Sequence, residues 1–157
     1  KDGKITLEDL KTVLPFANNI VVIEVTGVAF KAALEHSVSR YTKSGDAKGE
    51  FLQFSGVRVE YSINNKSGKR VTKVKVLCAY CQVPKYESLD LNKKYRIVLQ
   101  QFLANGGDQF EMFKNNKIKD FEILDTDVLD EFIKKRSPIY PALERRIIIR
   151  DGIYRTP

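Results

Sequence analysis

Ile20 to Val25 is the segment that most restricts how this chain can fold. All of its residues except Glu24 are β-branched (Ile20, Val21, Val22, Ile23, Val25). A second heavy atom on Cβ stiffens χ1 and suits extended backbone, and a nearly continuous apolar run leaves no face for water. The run therefore predicts a buried strand. Thr26 follows as a helix cap, and Phe30, Ala33, Leu34, Val38 and Tyr41 recur at helical spacing. That spacing predicts the longest helix, over about 28–42. Upstream, Thr6 with Asp9 three residues on has the form of an N-terminal cap for a short helix over about 7–13, which Pro15 stops.

Val57, Val59, Tyr61 and Ile63 alternate with Arg58, Glu60 and Ser62, predicting a strand with one wet face. Asn64 to Arg70 turns the chain and Val71 to Cys78 returns it, making a long hairpin. Tyr95, Ile97 and Leu99 give a further strand, and Ile118 to Leu124 another. Thr126 is placed to cap a helix near 127–136 that would bury Val128, Leu129, Phe132 and Ile133. Lys43 to Lys48 reads as a polar loop, Pro138 and Pro141 bracket an extended link, and Arg145 to Arg150 reads as a final strand. The mixed order predicts an α+β fold: a mixed sheet with a long hairpin and packed helices, one domain over 1–157.

The net charge of +7 raises the question of a polyanion partner. Basic residues cluster at Lys66, Lys69 and Arg70, at Lys134 to Arg136, and at Arg145 and Arg146. No nucleic-acid motif accompanies them, so they are read as solvated strand edges and helix ends, and no nucleic-acid partner is expected. No apolar run approaches the roughly 18 residues of a membrane span, and no signal peptide is present. The start at Lys1-Asp2-Gly3 reads as an internal cut point.

Two-metal phosphoesterase chemistry needs several Asp, His and Asn ligands. This chain has one histidine, His36, on the predicted long helix without local ligand partners, and it is read as structural. Cys78 and Cys81 are the only cysteines. A redox role needs the pair at a helix start, and zinc needs two more ligands that one histidine cannot complete. The pair instead ends a β run before Pro84. Asn65-Lys66-Ser67 is an N-glycosylation sequon on the expected hairpin tip.

After the strand ending near Leu99, the chain breaks into Phe102-Leu103-Ala104-Asn105-Gly106-Gly107-Asp108. Paired glycines let backbone approach a ligand closely. An aromatic before them offers a stacking face, and Asp108 can accept hydrogen bonds from hydroxyls, the needs of a nucleoside. From Thr6 almost to Arg150 the chain resembles the C-terminal domain of the 5'-nucleotidase family, in the wording of its animal ecto-5'-nucleotidase and secreted apyrase branch. The matching words run in order: "LPF" at 14–16, "LEHSVSRY" at 34–41, "GEFLQFSGVRVEY" at 49–61, "VLCAYCQVP" at 76–84, "FLANGGDQF" at 102–110 and "IYPALERRI" at 139–147.

The resemblance implies a substrate-binding domain that grips base and ribose, lacking its first segment. Two divalent metal ions, expected to be zinc, would sit on a separate N-terminal portion, present as a companion chain. It implies that Phe16 and Phe102 sandwich a purine and that Asp108 binds ribose hydroxyls. Asn105, Gly106 and Gly107 would shape the loop, Asn105 with a polar contact to the base, and Gly49 would offer backbone near the base. It also implies a small structural disulfide between Cys78 and Cys81, which with the sequon suits an extracellular, secreted protein. Two positions depart from the family: Ala17 stands where glycine follows "LPF", and Gln109 where glycine is common. Asn18 is the residue expected to supply a positive φ after Phe16. The function implied is nucleotide recognition for a metal-dependent phosphohydrolase acting on AMP, ADP or ATP. The alternatives are a non-catalytic nucleoside-binding or receptor-blocking secreted protein on the same scaffold, and a polyanion-binding module.

Overall fold

The β-branched run becomes β1 (Asn19–Thr26), the middle strand of a three-stranded antiparallel sheet between β5 (Lys94–Gln100) and β6 (Lys117–Leu124). The computed structural model describes residues 3–46 and 48–151; Lys1, Asp2, Ala47 and residues 152–157, and with them the expected cut point and the chain's last residues, lie outside the described residues. The other elements are α1 (Leu7–Val13), α2 (Gly27–Ser37), β2 (Val57–Ser62), β3 (Val71–Leu77), β4 (Tyr86–Ser88), α3 (Gln101–Ala104), α4 (Asp125–Arg136) and β7 (Ile147–Arg150). Gly107–Gln109 and Glu111–Phe113 each form one 3-10 turn.

On β1, Val21, Ile23 and Val25 are no more than 2% exposed, facing Leu99, Ile97 and Tyr95 across the ladder. Val22 and Glu24, on the opposite face, are half-buried. One face of the strand is therefore closed and the other partly open, where the sequence predicts burial throughout. The open side is explained by β5 beside it: Val22 pairs with Val98, itself largely exposed, so among the described residues no layer covers that face.

A second sheet, ordered β4-β3-β2-β7, holds the expected hairpin, β2 antiparallel to β3. Val57, Val59 and Tyr61 are buried while Arg58 is exposed, as alternation requires. β7 joins parallel to β2, with Val59 opposite Ile147 and Tyr61 opposite Ile149. It begins at Ile147, two residues later than expected, and Arg145 just before it takes a left-handed φ of 52° that ends extended backbone. The fold is α+β as expected, but its strands form two sheets. α2 packs on β1 of one and β3 of the other, and Phe30, Ala33, Leu34 and Val38 join both in a single core.

Thr6 caps α1 reciprocally with Asp9, as its spacing predicts. α2 stops at Ser37, short of the predicted 42. The Arg70 guanidinium, at the turn end of the hairpin, donates to the carbonyls of Val38, Ser39 and Tyr41, drawing the chain out of helical geometry. From α2, the Glu35 carboxylate accepts the N–H groups of Arg70 and Val71, so helix and hairpin grip each other twice.

α4 corrects two expectations. Its helical residues begin at Asp125, without a side-chain cap from Thr126; the Asp125 carboxylate accepts the Thr126 N–H instead. Val128 and Phe132 are not buried but 43% and 50% exposed. α4 lies on the outside against α1 and β6, so only part of its apolar surface has a neighbour.

Ile23→Ala removes buried methyl groups where neither sheet nor helix can collapse inward freely. Urea unfolding should show a loss of about 2–5 kcal/mol. A loss well under 1 kcal/mol would show that β1 is not the centre of the core.

Candidate functional site

Antiparallel pairing sets Ile20, near the start of β1, opposite Gln100, the last residue of β5. Phe16 precedes the one and Phe102 follows the other, so both leave the sheet at the same end. Asp125 ties this end together: its N–H donates to the Asn18 carbonyl at 2.9 Å, and its buried carboxylate accepts from Gln100 Nε2 at 2.6 Å. That bond also explains a correction. Ala17, and not Asn18, takes the positive φ, at 48°, since Asn18 is already held in line with the strand. Phe16 is 83% exposed, and among the described residues no other ring packs on it.

Phe102 lies on α3, a four-residue helix, rather than in a loop, and is 47% exposed. Asn105 ends that helix, its N–H bonded to the Gln101 carbonyl, and its side chain is exposed. Gly106 follows with a φ of +87°, a conformation open to glycine at little cost. Gly107 is needed for a different reason. A Cβ there would lie 2.5 Å from Phe102 Cε1 and Cζ and 2.6 Å from Cδ1. Near-equal distances to three ring carbons place that point over the face of the ring, so the Gly107 backbone backs one face of Phe102.

Asp108 and Gln109 continue in left-handed geometry, with φ of 49° and 66°. Gln109 thus holds a conformation that glycine adopts at little cost. A Cβ built on Gly49 would meet Asp108 Oδ2 at 3.4 Å, so the loop's carboxylate and the backbone of Gly49 are neighbours. His36 joins them from α2: its Nε2–H donates to the Asp108 carbonyl oxygen at 2.7 Å, and its ring meets the fully buried Phe110 edge-on at 4.7 Å. No pattern in the sequence signals this contact, since it spans residues 72 apart in the chain.

Next to Gly49, Glu50 is 2% exposed and is held by Arg40, Nε donating to Oε1 at 2.8 Å and Nη2 to Oε2 at 2.7 Å. The Arg40 hydrogen bonds keep the Glu50 carboxyl below the usual carboxylate range, against the opposing effect of burial. The structure thus brings Gly49, Asp108 and Gly107 with Phe102 into one region, adds His36, Glu50 and Arg40 behind them, and leaves Phe16 exposed. A cleft of about 410 Å³ lies beside this region, lined by Tyr41, Thr42, Lys43, Asp46, Lys48 and Phe51 among others; it includes neither phenylalanine of the expected pair.

Cys78 and Cys81 form a disulfide just beyond β3, without a helix at the pair. Among the described residues, the one cluster of three potential metal ligands is Cys78, Cys81 and Glu87, and its sulfurs are already bonded to each other. Asn65 is exposed on the hairpin turn. In the basic clusters, Arg70 serves the end of α2, Arg146 binds Glu144 and the Phe54 carbonyl, and Lys134 and Lys135 pair with Asp130 and Glu131. No helix of the described residues is long and apolar enough to cross a membrane.

Residues 1–115 match the family described as 5'-nucleotidase, C-terminal domain, and the chain belongs to that family. It is 46% identical over 152 residues to 5'-nucleotidase of Bos taurus, covering 96% of this chain and 26% of that protein. It is 40% identical to snake venom 5'-nucleotidase of Macrovipera lebetinus, covering 96% of this chain and 36% of that one. Among solved structures, a 5'-nucleotidase precursor from Thermus thermophilus superposes with a TM-score of 0.83 at 34% identity, over 92% of this chain and 28% of that chain. The chain therefore spans about a quarter to a third of the relatives it matches.

The Arg40–Glu50 pair makes a pH prediction. Glu50's carboxyl titrates lower in the folded protein than its ordinary value of 4.5, so its stabilisation is present above that value and lost as pH falls through the folded one. Arg40→Ala should melt below wild type at about pH 7, with the gap narrowing by about pH 3.5. A gap unchanged between the two, by calorimetry, would show that the pair does not carry the effect.

Proposed function

We propose that the chain is the nucleoside-recognition part of a secreted, metal-dependent nucleotide phosphohydrolase, a 5'-nucleotidase or apyrase acting on AMP, ADP or ATP. The observation that carries this reading is the glycine loop: an exposed phenylalanine backed on one face by Gly107, beside a carboxylate set against Gly49. A planar base stacks on the free face of Phe102, contributing on the order of 1–3 kcal/mol. The Asp108 carboxylate accepts hydrogen bonds from ribose hydroxyls, while Asn105 and the Gly49 backbone offer polar contacts at the edge of the base. Phe16, exposed at the same end of the sheet, closes over the other face of the base.

The phosphate chemistry belongs elsewhere. The single histidine is engaged with the Asp108 carbonyl, and the Cys78–Cys81–Glu87 cluster offers no thiolate. Divalent metals, zinc by family resemblance, are assigned to an N-terminal domain of the same protein. There they would supply the Lewis acid and the activated water for hydrolysis. The disulfide, the exposed sequon at Asn65 and the relatives from venom support an extracellular location with a glycan on Asn65.

Two measurements test the reading. Phe102→Ala, in the intact protein that contains this chain, should weaken adenosine binding by about five- to a hundredfold with the fold retained. Gly107→Ala should move affinity the same way, by pushing its methyl group into the ring. Cooperative loss of folding in Phe102→Ala would show instead that the ring is core. Phosphate release from AMP, ADP and ATP with added zinc is the second measurement. Release identifies the substrate by its ratios, and adenosine binding without release would make the protein a non-catalytic binder on this scaffold.

A further inference from the structure

His36 is the chain's single histidine, and its Nε2 is given to a backbone carbonyl of the loop that carries the proposed ribose ligand. A carbonyl oxygen can only accept, so Nε2 holds the proton in this contact. The group it holds is under conformational tension. Asp108 and Gln109 occupy left-handed backbone one after the other, a conformation that is unfavourable for L-residues and persists where the surroundings hold it. Asp108 itself is exposed, so packing does not hold it.

The anchor, by contrast, is rigid. Ala33, Leu34 and Ser37 around His36 on α2 are at most 2% exposed. The histidine ring rests edge-on against Phe110, which is stacked on Phe113, and both phenylalanines are buried. The carbonyl bond therefore transfers the position of a core helix to a surface loop, at the residue whose carboxylate lies beside Gly49.

We propose that His36 is a positioning residue that sets the preference for ribose over deoxyribose by fixing the backbone from which the Asp108 carboxylate is aimed. The proposal rests on the reading of Asp108 as the ribose ligand. Base stacking depends on different groups, Phe102 on α3 with Gly107 behind it. Loss of the His36 donor frees the Asp108–Gln109 backbone to relax, and sugar discrimination falls while recognition of the base remains.

The test is calorimetric binding of adenosine and of 2',3'-dideoxyadenosine to the intact protein that contains this chain. Wild type should prefer adenosine by about tenfold or more, since a carboxylate accepts two hydroxyl hydrogen bonds. His36→Phe keeps a ring against Phe110 but has no donor. Its preference should fall to about twofold, with the dideoxy affinity changed by less than about twofold. His36→Gln, whose amide nitrogen stands near the place of Nε2, should restore most of the preference. Should His36→Phe fail to melt cooperatively, His36→Asn, with an amide too short to reach the carbonyl, replaces it with the same expectation.

Full preference in the donorless variant, or a glutamine variant that behaves like it, overturns the role of His36. The proposed ribose contact is decided separately: equal affinities in wild type, or a preference that survives Asp108→Ala, removes Asp108 as the ribose ligand and the inference with it.

Discussion

Burying Val21, Ile23 and Val25 requires a strand on each side and a helix across one face, and most of the architecture follows from meeting those requirements. β5 and β6 supply the two ladders, and α2 supplies the cover. The helix then carries Phe30, Ala33, Leu34 and Val38 to the second sheet, where Tyr61 and Val59 meet them. The same antiparallel pairing that shields β1 determines which loops are neighbours. The segments carrying Phe16 and Phe102 meet at one end of the sheet through the β1–β5 register, and Asp125 fastens that end.

The candidate site divides its work between elements of different stiffness. The exposed ring of Phe102 is carried on α3 and backed by glycine backbone. The carboxylate stands on strained backbone that a core helix holds by one hydrogen bond. Behind it, Glu50 is buried with a charge compensated chiefly by the two Arg40 bonds. A buried carboxylate without such a partner would be costly, so Arg40, though mostly exposed, is tied to the ground on which Gly49 sits.

Local signals were legible where one element decides its own shape. The Thr6–Asp9 cap, the β-branched β1 and the alternating β2 can each be read from neighbouring residues, and the matching words located the glycine loop. Contacts across long sequence separation were not legible. Arg70 shortens α2 from the turn of a hairpin about 30 residues on, which no helical periodicity records. His36 is read from the sequence as structural but without a partner, because its partner is a backbone carbonyl, a group every residue has. The exposure of Val128 and Phe132 depends on what lies outside α4, and an apolar stripe cannot report whether anything faces it.

The seat of Phe102 on Gly107 has a stereochemical consequence. With one side of the ring occupied by the chain itself, only the other side of the benzene plane is open to a flat ligand. Which of the ring's two faces stays open is settled before any ligand arrives, by the absence of a methyl group at Gly107.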